Sequence, residues 1–137
     1  MRFRRASGDG MARMTSTRRR WRWRFYSTVA GRTPVREFLD HRLLPEADRA
    51  EIVAAIKDVQ RNGLVAARHL RGDLYEIRAD GREAGYRILF ALEGAQGQVL
   101  LGLSAFSKKT QRTPRRELEL AERRLADWRA RGRRLRR

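Results

Sequence analysis

Residues 84–92 read AGYRILFAL, and this stretch decides the fold. Side chains alternate between the two faces of a strand, so Tyr86, Ile88 and Phe90 share one face and Arg87 lies on the other. The stretch therefore predicts a central strand with an apolar face for a core and a cation on the opposite face.

Two further strands are predicted beside this one. Residues 74–79 read LYEIRA and lead into Asp80-Gly81, a pair that suits the left-handed backbone of a tight hairpin turn. Residues 98–106 read QVLLGLSAF and follow a glycine-containing loop. We expect three consecutive antiparallel strands.

A turn at Asp80-Gly81 also predicts a register. Tyr75 would pair with Tyr86, and Ile77 with Ala84, so that the apolar sides of the two strands coincide. The charged residues that would then share the opposite face are Glu76, Arg78 and Arg87. We expect one side of the sheet to bury apolar groups and the charged side to carry the chemistry.

A strand and two helices precede the sheet. Residues 21–26 read WRWRFY, an alternation typical of a half-buried strand. Residues 33–34 (Thr-Pro) match an N-cap followed by proline in the first helical turn, Pro45 begins a second helix, and residues 62–63 (Asn-Gly) end it. We expect an antiparallel helical hairpin, with its apolar stripe packed against the sheet.

A last helix follows the strands. We interpret residues 64–73 as a loop, and residues 113–114 repeat the Thr-Pro helix start. The apolar stripe of this helix, which should run to about residue 131, is Leu118, Ala121, Leu125 and Trp128. The order β-α-α-β-β-β-α predicts an α+β fold, with a small antiparallel sheet, a helical hairpin on one face and a C-terminal helix.

The charge predicts a polyanionic partner. The chain has 137 residues with 33 Lys and Arg against 16 Asp and Glu, a net charge of +17. Residues 1–20 carry +6 and residues 132–137 carry +4, so the expected domain, residues 21–131, keeps +7. The partners that suit this balance are RNA, DNA or a strongly acidic protein. We expect residues 1–20 to be a disordered basic tail and residues 132–137 an Arg-rich tail.

The residue types present narrow the chemistry. The absence of cysteine excludes disulfides, thiolate metal sites and a cysteine nucleophile. Acid and base work by a histidine pair would require His41 and His69 to meet, and we expect both at the surface. No cluster of Asp, Glu and His has metal-ligand spacing, so we expect neither a metal nor a cofactor. Without a membrane-spanning run or a secretory signal, we expect a cytoplasmic protein with no membrane partner.

The remaining candidates are cations. Arg78 and Arg87 can hold a phosphodiester and stabilise the added charge of a pentavalent transition state. A lysine at position 108 or 109 can exchange a proton, and nearby arginines should lower its pKa. Glu76 could accept a proton from a ribose 2′-hydroxyl or only orient Arg87. The residues by themselves also fit a solvated face with cross-strand charge pairs, and both interpretations stay open.

Four segments together resemble the phage-derived HigB-like branch of the RelE/ParE toxin superfamily. They occur in the order residues 31–39 (GRTPVREFL), 74–78 (LYEIR), 86–90 (YRILF) and 106–114 (FSKKTQRTP). The resemblance runs from about Trp21 to Trp128. It implies the toxin of a type II toxin-antitoxin pair, partnered by a HigA-like helix-turn-helix antitoxin, and ribosome-dependent cleavage of mRNA. One branch of the superfamily instead poisons DNA gyrase without cutting RNA, and a basic RNA-binding protein without activity is a third possibility.

The resemblance also implies roles for individual residues. Arg78, Arg87 and Lys109 match the basic positions that handle the scissile phosphate, and with Glu76 they form the predicted catalytic set. Many RelE-type toxins carry a Tyr or His for proton transfer near the last helix, a region that here offers arginines. The predicted RNA contacts are Lys108, Arg112, Arg115, Arg116, Arg71 and His69.

Overall fold

The computed structural model describes residues 21–108 and 112–135, so the predicted tail of residues 1–20 lies outside the described residues. The described residues form five strands and three α-helices. In order they are β1 (Arg22–Phe25), α1 (Pro34–Asp40), α2 (Glu46–Asn62), β2 (Arg68–Arg71), β3 (Leu74–Asp80), β4 (Gly85–Glu93), β5 (Val99–Lys108) and α3 (Arg115–Leu135).

The helix boundaries follow local signals. Pro34 is the first residue of α1, Pro45 directly precedes α2, and Gly63 ends α2 with a φ of +76° that suits glycine. α3 runs to Leu135, beyond the predicted end near residue 131. None of the helices in the described part of the chain is long and apolar enough to cross a membrane.

The α+β class is confirmed. The sheet has two features that were not predicted, a parallel pair of strands and the strand β2. The strand order is β1-β5-β4-β3-β2, and β1 runs parallel to β5 while the other pairs are antiparallel. The prediction of a loop over residues 64–73 was wrong, because β2 forms there and pairs with β3. Gly72, with a φ of +52°, makes the turn between them.

The central position of β4 and the facing of its side chains are confirmed. Tyr86, Ile88 and Phe90 pack with the helical hairpin, whereas Leu89 and Ala91 belong to a second cluster on the other face. Because β4 is hydrogen-bonded on both sides, it lies inside the sheet and is buried along most of its length.

The predicted register of β3 and β4 was wrong. Asp80 pairs with Gly85, so Tyr75 lies opposite Phe90 and not opposite Tyr86. The turn is longer because it wraps around the buried carboxylate of Asp48, which accepts hydrogen bonds from two backbone N–H groups of the turn at 2.7 and 3.1 Å. The shift is an even number of residues, so every side chain stays on its predicted face.

Helices cover both faces of the sheet, so Glu76 and Arg87 do not lie on a solvated face. α2 covers one face of the sheet through Ile52, Ile56 and Val59. α3 covers much of the other face through Ala121 and Leu125, which form the second core cluster with residues of β4 and β5. An amphipathic helix must bury its stripe, and this face was the available apolar surface.

Gly81→Ala should destabilise the fold, because a Cβ at Gly81 would lie 2.3 Å from Cγ of Asp48. Overpacking of this kind costs about 1 to 3 kcal/mol. Urea unfolding measures the loss. Arg82→Ala in the same turn is the control, since its side chain is exposed and its removal should change stability by less than about 0.5 kcal/mol. Equal stability of the Gly81 variant and the parent would contradict the close approach.

Candidate active site

Glu76 is a carboxylate buried on the α3 face of the sheet. Its side chain has 0% exposed surface. Oε1 accepts a hydrogen bond from Arg78 Nε at 3.2 Å, and Oε2 accepts one from the Thr113 hydroxyl. Oε2 also lies 3.8 Å from Arg87 Nε. Both oxygens are therefore engaged by the protein itself, which fixes the position of the side chain.

Arg87 is the buried cation beside this carboxylate, with 6% of the residue exposed. Nη1 donates to the Tyr86 carbonyl at 2.9 Å, whereas Nε has no hydrogen-bond partner among the described residues. Burial lowers the pKa of Arg87, and the charge of Arg78 adds to this effect while that of Glu76 opposes it. Arginine stays protonated in proteins, so Arg87 keeps a charge and an unused donor for an anion.

Lys108 completes this group, which we call the Glu76 cluster (Glu76, Arg78, Arg87 and Lys108). It ends β5 opposite Gly85, on the same face as Arg87, and is 6% exposed. Its Nζ has no hydrogen-bond partner among residues 21–108 and 112–135. Burial lowers the pKa of Lys108, and the charge of Arg87 lowers it further, against the opposing effect of Glu76. The environment therefore favours a lysine that can lose its proton more readily than usual.

A cleft of about 460 Å³ opens beside the cluster, and we call it the cationic cleft. It lies between β2, β3 and the start of α3. Arg78 and Thr113 belong to both the cleft wall and the contacts of Glu76, so the cleft gives access to the cluster. The residues that line it are Arg68, Leu70, Arg71, Arg78, Arg112, Thr113 and Leu118. Such a lining suits a phosphate backbone.

Five of the six predicted RNA contacts divide into two groups. Arg71 and Arg112 line the cationic cleft, although Arg71 also forms a 2.7 Å ion pair with Glu122. His69 lies outside the described lining, where Nε2 contacts the Gly72 carbonyl at 2.8 Å and the ring packs edge-on against Tyr75. The exposed residues at the start of α3 that also lie outside this lining are Arg115 and Arg116.

The structure changes the assignment of Lys108, and Lys109 is not among the described residues. Lys108 was assigned to RNA contact, and the structure brings it into the Glu76 cluster. Lys109, the predicted catalytic lysine, lies outside the described residues, and its role stays a prediction. Glu76, Arg78 and Arg87 of the predicted catalytic set lie together.

Two site residues were missed from the sequence. Arg68 was placed in a loop, whereas it starts β2 and lines the cationic cleft. Thr113 was interpreted only as a helix cap, whereas its hydroxyl donates to Glu76. The Gly72-Asp73 pair between two extended runs was the available signal for β2, because it is typical of a hairpin turn. In the described part of the chain, no three His, Asp or Glu side chains are grouped to hold a metal ion.

Comparison with known proteins gives a consistent assignment. Residues 39–126 match the family described as phage derived protein Gp49-like. Two relatives from Mycobacterium tuberculosis, of strains CDC 1551 / Oshkosh and ATCC 25618 / H37Rv, each carry the name probable endoribonuclease HigB1. Each is 30% identical over 109 residues, which cover 77% of this chain and 83% of the relative.

Proposed function

The chain belongs to the phage-derived Gp49-like family, with HigB-type relatives, and from this premise we propose that it is a toxin that cuts mRNA on the ribosome. The observation that carries the proposal is the buried Nζ of Lys108, which has no partner among the described residues. Burying an unpaired cation costs stability and adds nothing to a surface that only binds a target. A catalytic role for Lys108 explains why the fold tolerates this loss of stability, whereas inhibition of gyrase by binding alone does not.

Each member of the Glu76 cluster has a role in this proposal. Arg78 and Arg87 bind the scissile phosphate and stabilise its added negative charge in the transition state. Glu76 holds the two arginines in position and is not the base, because both of its oxygens already accept from the protein. Lys108, in its uncharged form, accepts the proton of the ribose 2′-hydroxyl.

The reaction needs no attacking water. The 2′-oxygen loses its proton to Lys108 and forms a bond to the adjacent phosphorus, while the bond from phosphorus to the 5′-oxygen breaks. The leaving 5′-oxygen takes a proton from solvent, and the lysine later returns its own proton to solvent. The products are a 2′,3′-cyclic phosphate on one fragment and a 5′-hydroxyl on the other.

Cleavage of mRNA by the purified protein and ribosomes should give these two ends and should continue in EDTA when polyamines keep the ribosomes intact. The reason is that Lys108 and two arginines supply the proton transfer and the charge stabilisation without a divalent ion. Primer extension locates the new 5′ ends, and mass spectrometry of the fragments identifies the phosphate. A 3′-hydroxyl product would exclude this scheme. Inhibition of DNA supercoiling without new 5′ ends would support the gyrase alternative.

The proposed partner is a HigA-like antitoxin that is acidic where it meets this protein. Residues 21–131 keep a charge of +7 apart from the tails, so a negative surface would gain both encounter rate and affinity. The proposed site of action is the cytoplasm, where mRNA and ribosomes meet.

A further inference from the structure

A second basic groove lies at the far end of α3 from the cationic cleft. It has a volume of about 650 Å³ and is formed by β1, the start of β5 and the last turns of α3. Leu118 of the cationic cleft and Trp128 of this groove are ten residues apart on α3, about 15 Å along a helix. We call it the β1 groove, and the residues used below are Arg22, Arg24, Trp128 and Arg131.

Arg24 and Trp128 form a cation–π contact in the β1 groove. The guanidinium carbon of Arg24 lies 4.9 Å from the centroid of the Trp128 ring. Contact with the ring restrains the exposed Arg24 side chain, which lowers the entropy cost of ordering it against a ligand. Arg22 lies two residues away on the same side of the strand, about 7 Å along it. The groove thus combines two cations with a flat surface on which a base can stack.

The charges of Arg22 and Arg24 are not neutralised locally. Neither forms an ion pair with a carboxylate of residues 21–108 or 112–135. Glu93, which also lines the groove, pairs with Arg129 at 2.7 Å, and Asp127 pairs with Arg131 at 2.9 Å. The β1 groove therefore offers positive charge to a ligand.

We propose that the β1 groove binds a segment of single-stranded RNA at a site separate from the cationic cleft. Arg22 and Arg24 contact backbone phosphates, and a base stacks on the outer face of the Arg24 guanidinium. The two cations alone would also suit an acidic peptide, but an exposed arginine over an aromatic ring adds a planar group that matches a nucleobase. The choice of RNA over DNA rests on the proposed function, whereas the site itself does not require cleavage.

Binding of a short fluorescent single-stranded RNA to the full chain tests this proposal. The test variant is Arg22→Gln/Arg24→Gln, and the control is Arg42→Gln/Arg61→Gln, which removes the same charge from two exposed positions on the hairpin side. Anisotropy across a salt series should show weaker binding for the test variant. The slope of log affinity against log salt should fall by about 1.4, since each phosphate contact on a single strand contributes about 0.7.

For the control variant, the slope of log affinity against log salt should fall by less than about 0.7, half of the change expected for the test variant, because the control loses only diffuse attraction. Equal loss in the two double variants would overturn the β1 groove as a binding site. The proposal would also be overturned if the test variant bound a poly-glutamate peptide more weakly than the parent but bound RNA equally well. The groove would then serve an acidic protein.

Crosslinking places the RNA directly. RNA carrying 4-thiouridine should crosslink to peptides containing residues 22–24 or Trp128, and crosslinks confined to residues of the cationic cleft would contradict the proposal. If RNA binding depends on the β1 groove but the parent protein cuts no mRNA, the proposed function is wrong and the proposed RNA-binding site stands.

Discussion

Lys108→Met is expected to abolish RNA cleavage and at the same time to make the folded protein more stable. Lys108 is 6% exposed, and its Nζ has no partner among the described residues. Removing a buried polar group that lacks a hydrogen bond should gain about 1 to 3 kcal/mol, because its desolvation penalty disappears. Loss of a general base usually lowers the rate by about 10²-fold to 10⁴-fold. Urea unfolding and primer extension measure the two effects.

The pH dependence of stability follows from the direction of the shift. The pKa of Lys108 is lowered by burial in the folded protein, so the unfolded chain binds its proton more tightly. The penalty is fully present below the folded pKa and is relieved as pH rises through that value toward the ordinary lysine pKa near 10.4. The stability advantage of the Met variant over the parent should therefore shrink in the alkaline range.

Two further variants make this result specific. Lys57→Met is the same change at an exposed position of α2, and it should alter stability by less than about 0.5 kcal/mol and leave cleavage intact. Lys108→Arg keeps a charge that cannot be lost near neutral pH, so it should also be inactive. If Lys108→Arg cuts as fast as the parent, Lys108 is only a phosphate clamp, and Lys109 becomes the leading base. A Met variant less stable than the parent would contradict the unpaired state of Lys108.

Local patterns were enough to predict the core of the fold. The alternation in residues 84–92 predicts which β4 side chains meet the hairpin, because a side chain in a strand has only two faces to choose from. Proline marks the starts of α1 and α2 because its ring fixes φ near the helical value, and Gly63 ends α2 because a residue without a Cβ accepts a positive φ. These features depend on residues that are close in sequence.

Other features depend on residues that are distant in sequence. The β3–β4 turn has the length required to surround Asp48, which comes from α2, and no local signal in residues 80–85 contains that information. Whether a lysine at position 108 is buried beside Arg87 depends on where β5 ends. A strand that ends at residue 106 leaves Lys108 in a turn, whereas β5 continues to Lys108 and alternation then places it on the face of Arg87.

Tyr86→Ala is expected to remove most of the stability of the domain. Tyr86 is 4% exposed, packs edge-on against Phe38 at 6.1 Å between ring centroids, and donates to Asp48 at 2.6 Å. Truncation of a buried aromatic costs about 3 to 5 kcal/mol, a large part of the roughly 5 to 15 kcal/mol typical of native domains. The variant also leaves the buried Asp48 carboxylate without its side-chain donor. Chemical unfolding and near-UV circular dichroism measure the loss.

Tyr86→Phe separates the hydroxyl from the ring. The ring should still pack, so the cost should be only about 1 to 3 kcal/mol, from the donor that the carboxylate loses. Burial is the main cause that raises the pKa of Tyr86 to about 12, and the hydrogen bond to Asp48 adds to it. The folded protein therefore holds this proton more tightly than the unfolded chain, so the stabilisation is complete below about pH 10 and is lost as pH rises toward 12. The difference in the free energy of unfolding between the parent and Tyr86→Phe isolates this decline, because the opposite trend of Lys108 is the same in both proteins. A difference that stays constant across that range would show that the hydroxyl is not buried against Asp48.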